Sequence, residues 1–345
     1  MTEPTSRQIF LSALRGKPVM RVPVAPLAVH FCARVAGISL NRYTGDAGAL
    51  ADAVIRYHGR FRPDAVVLSA DTWVSAQAMG ATVGPMDEDQ PWGGMGEPRV
   101  RSLADVRALP PSDPNSQGRY PLMLEALSRI VAAVGRDTAV VACFDQFPFS
   151  LAAALMGLNE LMLAVNDDPA LVRALMARCH EYGFAYGRAL AAAGADVLTG
   201  GDSPAGLIGP QRYREFALPF EQRLIAELKA ATGKPVSLHI CGNAEPILAD
   251  MARSGADLLE IDYRTDLALA CRVVGPEIAL WGNLDPVAVL ARGQPQDVRR
   301  VARQALAAAA GHKRFILGSG CTLAVETPFA NVDELMGAVG PAARL

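Results

Sequence analysis

The amino-acid sequence predicts a single (β/α)8 barrel over residues 1–345, with extra helices and an N-terminal extension. Short apolar runs bounded by turn residues alternate along the chain with helical patterns, and that alternation implies parallel strands joined by crossover helices. Eight such runs in one chain imply closure into a barrel more than an open doubly wound sheet. Length alone would allow about two domains, but 345 residues also fit one barrel of about 250 residues carrying insertions.

Residues 6–14 read as a short helix, and residues 21–27 as a first strand whose prolines are tolerable only at an edge or a strand start. A helix over 46–61 precedes the second strand, 64–70, an apolar run of the kind a buried parallel strand shows, which ends at Asp71. From 80 to 100 the chain is rich in Gly, Pro and acids with little periodicity, which predicts a long excursion or hairpin, either a lid or a solvated surface loop. The third strand, 138–144, ends at Asp145 and is followed by alanine-rich helices over 150–158 and 169–193. The fourth, 196–201, ends at Asp202, and the helix 213–232 carries Phe216, Phe220, Leu224 and Leu228 as a packing stripe. Strands five to eight fall at 235–241, 257–262, 278–281 and 314–317, separated by helices over 245–254, 267–274 and 287–311.

The chain is 51% hydrophobic and 20% charged with a mean hydropathy of +0.18, the balance of a large globular fold rather than a disordered one. A formal charge of −2 and a pI near 6.2 give no general attraction to phosphate backbones, so nucleic acid is not an expected partner. Cys32, Cys143, Cys179, Cys241, Cys271 and Cys321 are scattered with no compact disulfide framework, which points to a reducing compartment. The first residues contain no apolar leader, and no stretch reaches 18 uninterrupted apolar residues, so a cytoplasmic protein without a membrane span is expected.

Barrels of this type work at the C-terminal mouth of their strands, where this chain places Asp71, Asp145, Asp202, His239 with Cys241, Glu260 with Asp262, Asn283 with Asp285, and Cys321. His239 and Cys241 are two apart on a strand, so they share a face with Cα atoms about 7 Å apart, and both can reach one ion. The plain alternative is a buried strand with an incidental histidine and cysteine. With Cys321 the set is one imidazole and two thiols, whose softness selects Zn²⁺ over Mg²⁺ or Ca²⁺, and three protein ligands leave a catalytic fourth position open. Zinc with two thiolates is neutral overall and therefore a weak Lewis acid for carbonyls, but it still lowers the pKa of an incoming thiol from about 8.5. Glu260 is a candidate to fill the fourth position at rest and to be replaced by that thiolate.

The motifs Asp202-Ser203-Pro204, Pro219-Phe220, Leu238-His239-Ile240-Cys241-Gly242-Asn243, Gly282-Asn283-Leu284-Asp285-Pro286, Gly318-Ser319-Gly320-Cys321 and Thr327-Pro328-Phe329-Ala330-Asn331 together resemble the uroporphyrinogen decarboxylase superfamily. Each motif is weak alone; their order and spacing make a specific set, running from about Arg7 to the C-terminus. The nearer resemblance is to the zinc-dependent corrinoid methyltransferase branch, the methylcobamide:coenzyme M methyltransferases and their relatives. It implies zinc on His239, Cys241 and Cys321, an acid such as Glu260 completing the shell, and transfer of a methyl group from methylcobalamin or another methylated corrinoid to a thiol or comparable acceptor.

Two departures narrow that implication. The decarboxylase branch carries an arginine-rich segment near its N-terminus for the carboxylates of a porphyrinogen, whereas Val29-His30-Phe31-Cys32-Ala33-Arg34-Val35 holds one arginine. Porphyrinogen decarboxylation is thereby disfavoured. The Asp-x-His-x-x-Gly pattern of corrinoid carriers is missing, since Ser237 stands where its aspartate would precede His239, so the corrinoid is expected on a partner protein. Coenzyme M, another thiol and a folate all fit as acceptor, and zinc tilts the choice toward a thiol. The alternatives are a decarboxylase, another lyase or a hydrolase of the superfamily, and a zinc- or corrinoid-binding protein without turnover.

Among the remaining mouth residues, Asp202 and Asn283 join Glu260 as catalytic candidates, and His30, Asp71 and Asp145 are candidate substrate contacts. Asp145 and Asp202 are expected to face the mouth, with capping of the helices that follow as the alternative. Turn formation is the alternative for Asn283 and Asp285. Cys32, Cys143, Cys179 and Cys271 read as packing residues, and His58, His180 and His312 as surface residues on helices or loops.

Overall fold

The computed structural model describes residues 3–84 and 97–339. Seven strands form one parallel sheet in sequential order: β1 (Ala65–Leu68), β2 (Ala139–Gln146), β3 (Val197–Gly201), β4 (Val236–Ile240), β5 (Leu258–Ile261), β6 (Ala279–Leu284) and β7 (Phe315–Ser319). Alternate residues point to opposite faces. Val67, Val141, Val197, Leu258, Trp281 and Ile316 gather on the inner face with Ala25 and Leu27, and Phe10 and Leu14 of the helix Ser6–Leu14 pack among them. The rings of Phe10 and Trp281 meet edge to face with centroids 5.6 Å apart. The outer face packs against the helices through residues such as Val66, Val140, Leu198, Leu238, Leu259 and Leu317. The result is a TIM-barrel-like α/β fold.

Among the described residues seven strands form where eight were expected. Of residues 21–27 only Val24 bridges to a strand, in parallel with Leu317. Ala25 N donates to Leu317 O and Leu317 N to Pro23 O, both at 2.9 Å, while Asp64 N donates to Val24 O at 2.9 Å. The segment therefore lies between β7 and the start of β1, but Pro23 and Pro26 have no amide donors and a regular ladder cannot form.

Several helices match their expected bounds, including Ser6–Leu14 and Leu267–Val274. Thr5 caps the former, its hydroxyl accepting from Gln8 N at 3.3 Å. The expected helix over 287–311 is two pieces, Pro286–Ala291 and Pro295–Ala308, because Gly293 and Pro295 interrupt it. The helices Tyr120–Val134 and Leu158–Asp167 are additional to the expected plan, and Gly157, at φ +97°, turns the chain into the second of them. Residues 85–96 of the expected excursion lie outside the described residues. Among the described residues, no single helix is long and apolar enough to cross a membrane.

Candidate functional site

Strand β4 alternates cleanly. Val236, Leu238 and Ile240 go to the helix side, so Ser237 and His239 face inward, and Cys241 follows on the same face just past the strand end. Cys321 arrives from β7 through Gly320, whose amide donates to Leu284 O at 2.7 Å. A Cβ at that glycine would lie 2.5 Å from Tyr263 N, so the β7 exit runs tightly against the β5 exit, and this close approach carries Cys321 inward.

The three side chains meet as expected. His239 Nε2 lies 2.7 Å from Cys241 Sγ, Cys241 Sγ lies 3.3 Å from Cys321 Sγ, and Cys321 Sγ lies 3.9 Å from His239 Nε2. Donors bound tetrahedrally to one zinc would stand about 3.3 to 3.8 Å apart. The edges straddle that range, with His239 and Cys241 closer and His239 and Cys321 slightly farther apart, and all six cysteines are free. Among the described residues this is the one group of three or more such side chains whose donor atoms all lie within 4.8 Å of one another.

The electrostatics suit a cation. Burial pulls the His239 imidazolium down, but the Cys321 hydrogen bond and charge, with Glu260 and Asp262 nearby, outweigh it and raise the group to about 9. The hydrogen bond with Cys321 holds the Cys241 thiol low against the opposing effect of burial, and Ser203, whose hydroxyl accepts from Cys241 N at 3.1 Å, helps. The same pairing with Cys241, followed by burial, pushes the Cys321 thiol up.

Glu260, opposite His239 in the β4–β5 register, is buried and sits on the Nδ1 side of the imidazole. Its Oε2 is 3.7 Å from Nδ1, and its Oε1 accepts from Thr199 Oγ1 at 2.5 Å and Ser237 Oγ at 2.8 Å. Neither hydroxyl was expected from the sequence, although the inward position of Ser237, two before His239 on an apolar run, was a signal.

Asp71, Asp145 and Asp202 are placed differently from expectation. All three are buried. Asp71 takes the Arg119 guanidinium in a two-pronged pair and accepts from Trp73 N at 2.7 Å. Asp145 accepts from Ser75 N, and Asp202 from Ser150 N, each at 2.7 Å. Ser75 and Ser150 lie near the starts of the helices Val74–Ala78 and Pro148–Met156, which follow β1 and β2. Asp145 and Asp202 thus each hold the helix start of the preceding unit rather than capping the helix after it, because the unbonded amides there are the nearest donors, and the second oxygen of each is buried without a hydrogen-bond partner. Asp202 N also donates to His239 O at 2.8 Å. Asp202 is raised to about 6 by burial, and the fully buried Glu221 nearby is also raised by burial and by Asp202, with Tyr213 donating to its Oε2 at 2.5 Å.

Two other candidates are occupied by backbone. His30 Nε2 is 2.7 Å from Ala70 O, and Asn283 Nδ2 donates to Thr265 O at 2.9 Å. Asp285 Oδ1 accepts from Val287 N and Ala288 N at 2.8 Å, the turn role foreseen as an alternative. His180 and His312 are buried rather than superficial, bonded to Glu227 and to Ile278 O. A cavity of about 620 Å³ is lined by residues including Trp73, Arg99, Gln146, Ser150 and Pro204, and none of its lining residues belongs to the triangle. Gln146 Oε1 and Ser150 Oγ are buried without a protein partner.

Asp145 gives a pH signature. It is fully buried at φ +79°, and burial first, then the charge of Asp71, raises its carboxyl to about 7. The folded state therefore binds a proton that the unfolded chain releases near pH 4, and stability falls as pH rises from about 4 to about 7. Asp145→Asn keeps an acceptor for Ser75 N. It is expected to flatten that fall and to be the more stable protein at pH 8 by more than about 1 kcal/mol; an unchanged urea profile across this range would show the carboxyl ionised throughout.

Parallel strands in sequential order, with an imidazole and two thiols converging at their C-terminal ends, define a TIM-barrel-like protein with a candidate metal centre at the sheet mouth. The chain belongs to the uroporphyrinogen decarboxylase family, whose model, described as Uroporphyrinogen decarboxylase (URO-D), matches residues 5–341. It is 30% identical over 347 residues to the methylcobamide:CoM methyltransferase MtbA of Methanosarcina mazei, covering 97% of this chain and 98% of that one. It is 35% identical over 284 residues to a uroporphyrinogen decarboxylase of Nocardia farcinica, covering 77% of this chain and 75% of that one. Among solved structures, a methyltransferase from Methanosarcina mazei superposes with a TM-score of 0.88 at 27% identity, over 97% of this chain and 98% of the other.

Proposed function

We propose that this chain is a zinc-dependent methyltransferase that moves a methyl group from a methylated corrinoid, brought by a partner protein, to a thiol acceptor. The observation that carries the reading is the convergence of His239, Cys241 and Cys321 within one zinc-sized triangle. Near full-length similarity to a methylcobamide:CoM methyltransferase supports it over decarboxylation, as does the single arginine in residues 29–35. The reading takes residues 1–345 as one domain and residues 21–27 as a degenerate eighth strand closing the barrel.

Zinc held there would lower the pKa of an incoming thiol so that it arrives as a thiolate nucleophile. The chain's own groups set that up. His239 offers Nε2, Cys241 and Cys321 offer two negative sulfurs, and Ser203 holds the Cys241 backbone in place. Transfer is a displacement at the methyl carbon, for which holding sulfur and methyl at near-attack distance supplies much of the rate.

The test is methylcobalamin with the zinc-loaded protein and a panel of thiols and folates, followed by the cobalt spectrum. Loss of the methylcobalamin bands with at least one thiol is expected. No demethylation with any acceptor despite bound zinc, or carbon dioxide release from uroporphyrinogen, would overturn the reading.

A further inference from the structure

We infer that Thr199 and Ser237 are positioning residues: two hydroxyls on neighbouring strands that fix the Glu260 carboxylate behind His239 and so set which imidazole nitrogen faces the thiols. The inference rests on the proposed zinc site and assigns it a specific support.

Thr199 and Ser237 stand side by side in the β3–β4 register, and His239 stands beside Glu260 in the β4–β5 register. The Glu260 side chain therefore reaches back one pleat, under His239, to a pair of hydroxyls in the layer below. Both donate to the same oxygen, Oε1, at 2.5 and 2.8 Å. Thr199, Ser237 and Glu260 are all buried, so water does not substitute freely for either hydroxyl.

With Oε1 taken twice, Oε2 is the oxygen left for the imidazole, 3.7 Å from His239 Nδ1. That nitrogen is buried and has no hydrogen-bond partner. The distance is about half an ångström beyond hydrogen-bond length, within reach of a small rotation of either side chain. A carboxylate on this side favours the Nδ1–H tautomer, which leaves the Nε2 lone pair toward Cys241 and Cys321. Removing the hydroxyls frees Glu260 to turn, and an imidazole without its acceptor loses both its orientation and its tautomer preference. The same arrangement argues that Glu260 supports the histidine from behind, as an alternative to its expected place as a fourth ligand.

The test compares zinc affinity, by chelator competition, in the parent, Thr199→Val, Ser237→Ala, the double variant, Glu260→Gln and Thr199→Ser. Thr199→Val keeps the side-chain shape and Ser237→Ala removes one atom, so folding should survive, and thermal melts of the zinc-free proteins check this. Glu260→Gln and the double variant are expected to bind zinc about 10-fold to 100-fold more weakly. Each single variant should fall between them and the parent, and Thr199→Ser should restore parental affinity. With zinc on Nε2, the Nδ1–H proton of His239 should exchange with water slowly in the parent and faster in the double variant. Parental affinity and exchange in the double variant would overturn the inference while leaving the zinc site standing. Zinc X-ray absorption showing a carboxylate oxygen in the parent, lost in Glu260→Gln, would also overturn it. If the parent itself bound no zinc, the failure would lie with the proposed function.

Discussion

His239→Ala is expected to abolish stoichiometric zinc binding and to cut thiol methylation from methylcobalamin by about a thousandfold, the equivalent of several kcal/mol of lost transition-state stabilisation. His239 is the sole nitrogen donor in the triangle, and its loss leaves two thiols 3.3 Å apart without the third member of the set. Two thiolates hold a soft cation weakly without that nitrogen, and the charge they carry near Glu260 and Asp262 is then unbalanced. His30→Ala is the matched control, since His30 bonds the backbone at Ala70 and takes no part in the triangle. Metal analysis after dialysis checks both: about one zinc per chain in the control and none in His239→Ala. Full zinc retention in His239→Ala would remove the site from the proposal altogether.

What could be read from the sequence follows from the range of the interactions involved. Strands β1 to β7 are buried on both faces, so they show as apolar runs with no tertiary information needed. The His239–Cys241 pair is equally local, a consequence of the two-residue period of a strand. Cys321 needed more: its inward position depends on Gly320 passing close to Tyr263 N, a contact between the exits of β7 and β5. The roles of Asp145 and Asp202 were hidden because their partners, Ser75 N and Ser150 N, belong to preceding units 70 and 52 residues away. Thr199 and Ser237 were hidden for a similar reason. Their meeting with Glu260 is a property of register across three strands, which no single run of residues displays.

Asp64→Ala is expected to cost about 3 kcal/mol of stability, because it breaks a buried, two-pronged ion pair and leaves its partner amide unsatisfied. Asp64 is 1% exposed, one residue before β1. Its Oδ2 accepts from Arg21 Nη1 at 2.6 Å and Val24 N at 2.7 Å, and its Oδ1 accepts from Arg21 Nη2 at 2.7 Å. This carboxylate compensates for the prolines. Residues 21–27 cannot run a full ladder on either neighbour, so a side chain anchors the segment where backbone donors are missing. If that is its role, the damage is local first: hydrogen exchange should accelerate at Ala25 N and Leu317 N, while amides between β3 and β4 keep their protection. Asp64→Asn, which retains an acceptor for Val24 N but not the guanidinium fork, should recover part of the loss. A change below about 1 kcal/mol in the alanine variant, with exchange at Leu317 unaltered, would mean that the few backbone bonds of residues 23–25 hold the segment without help.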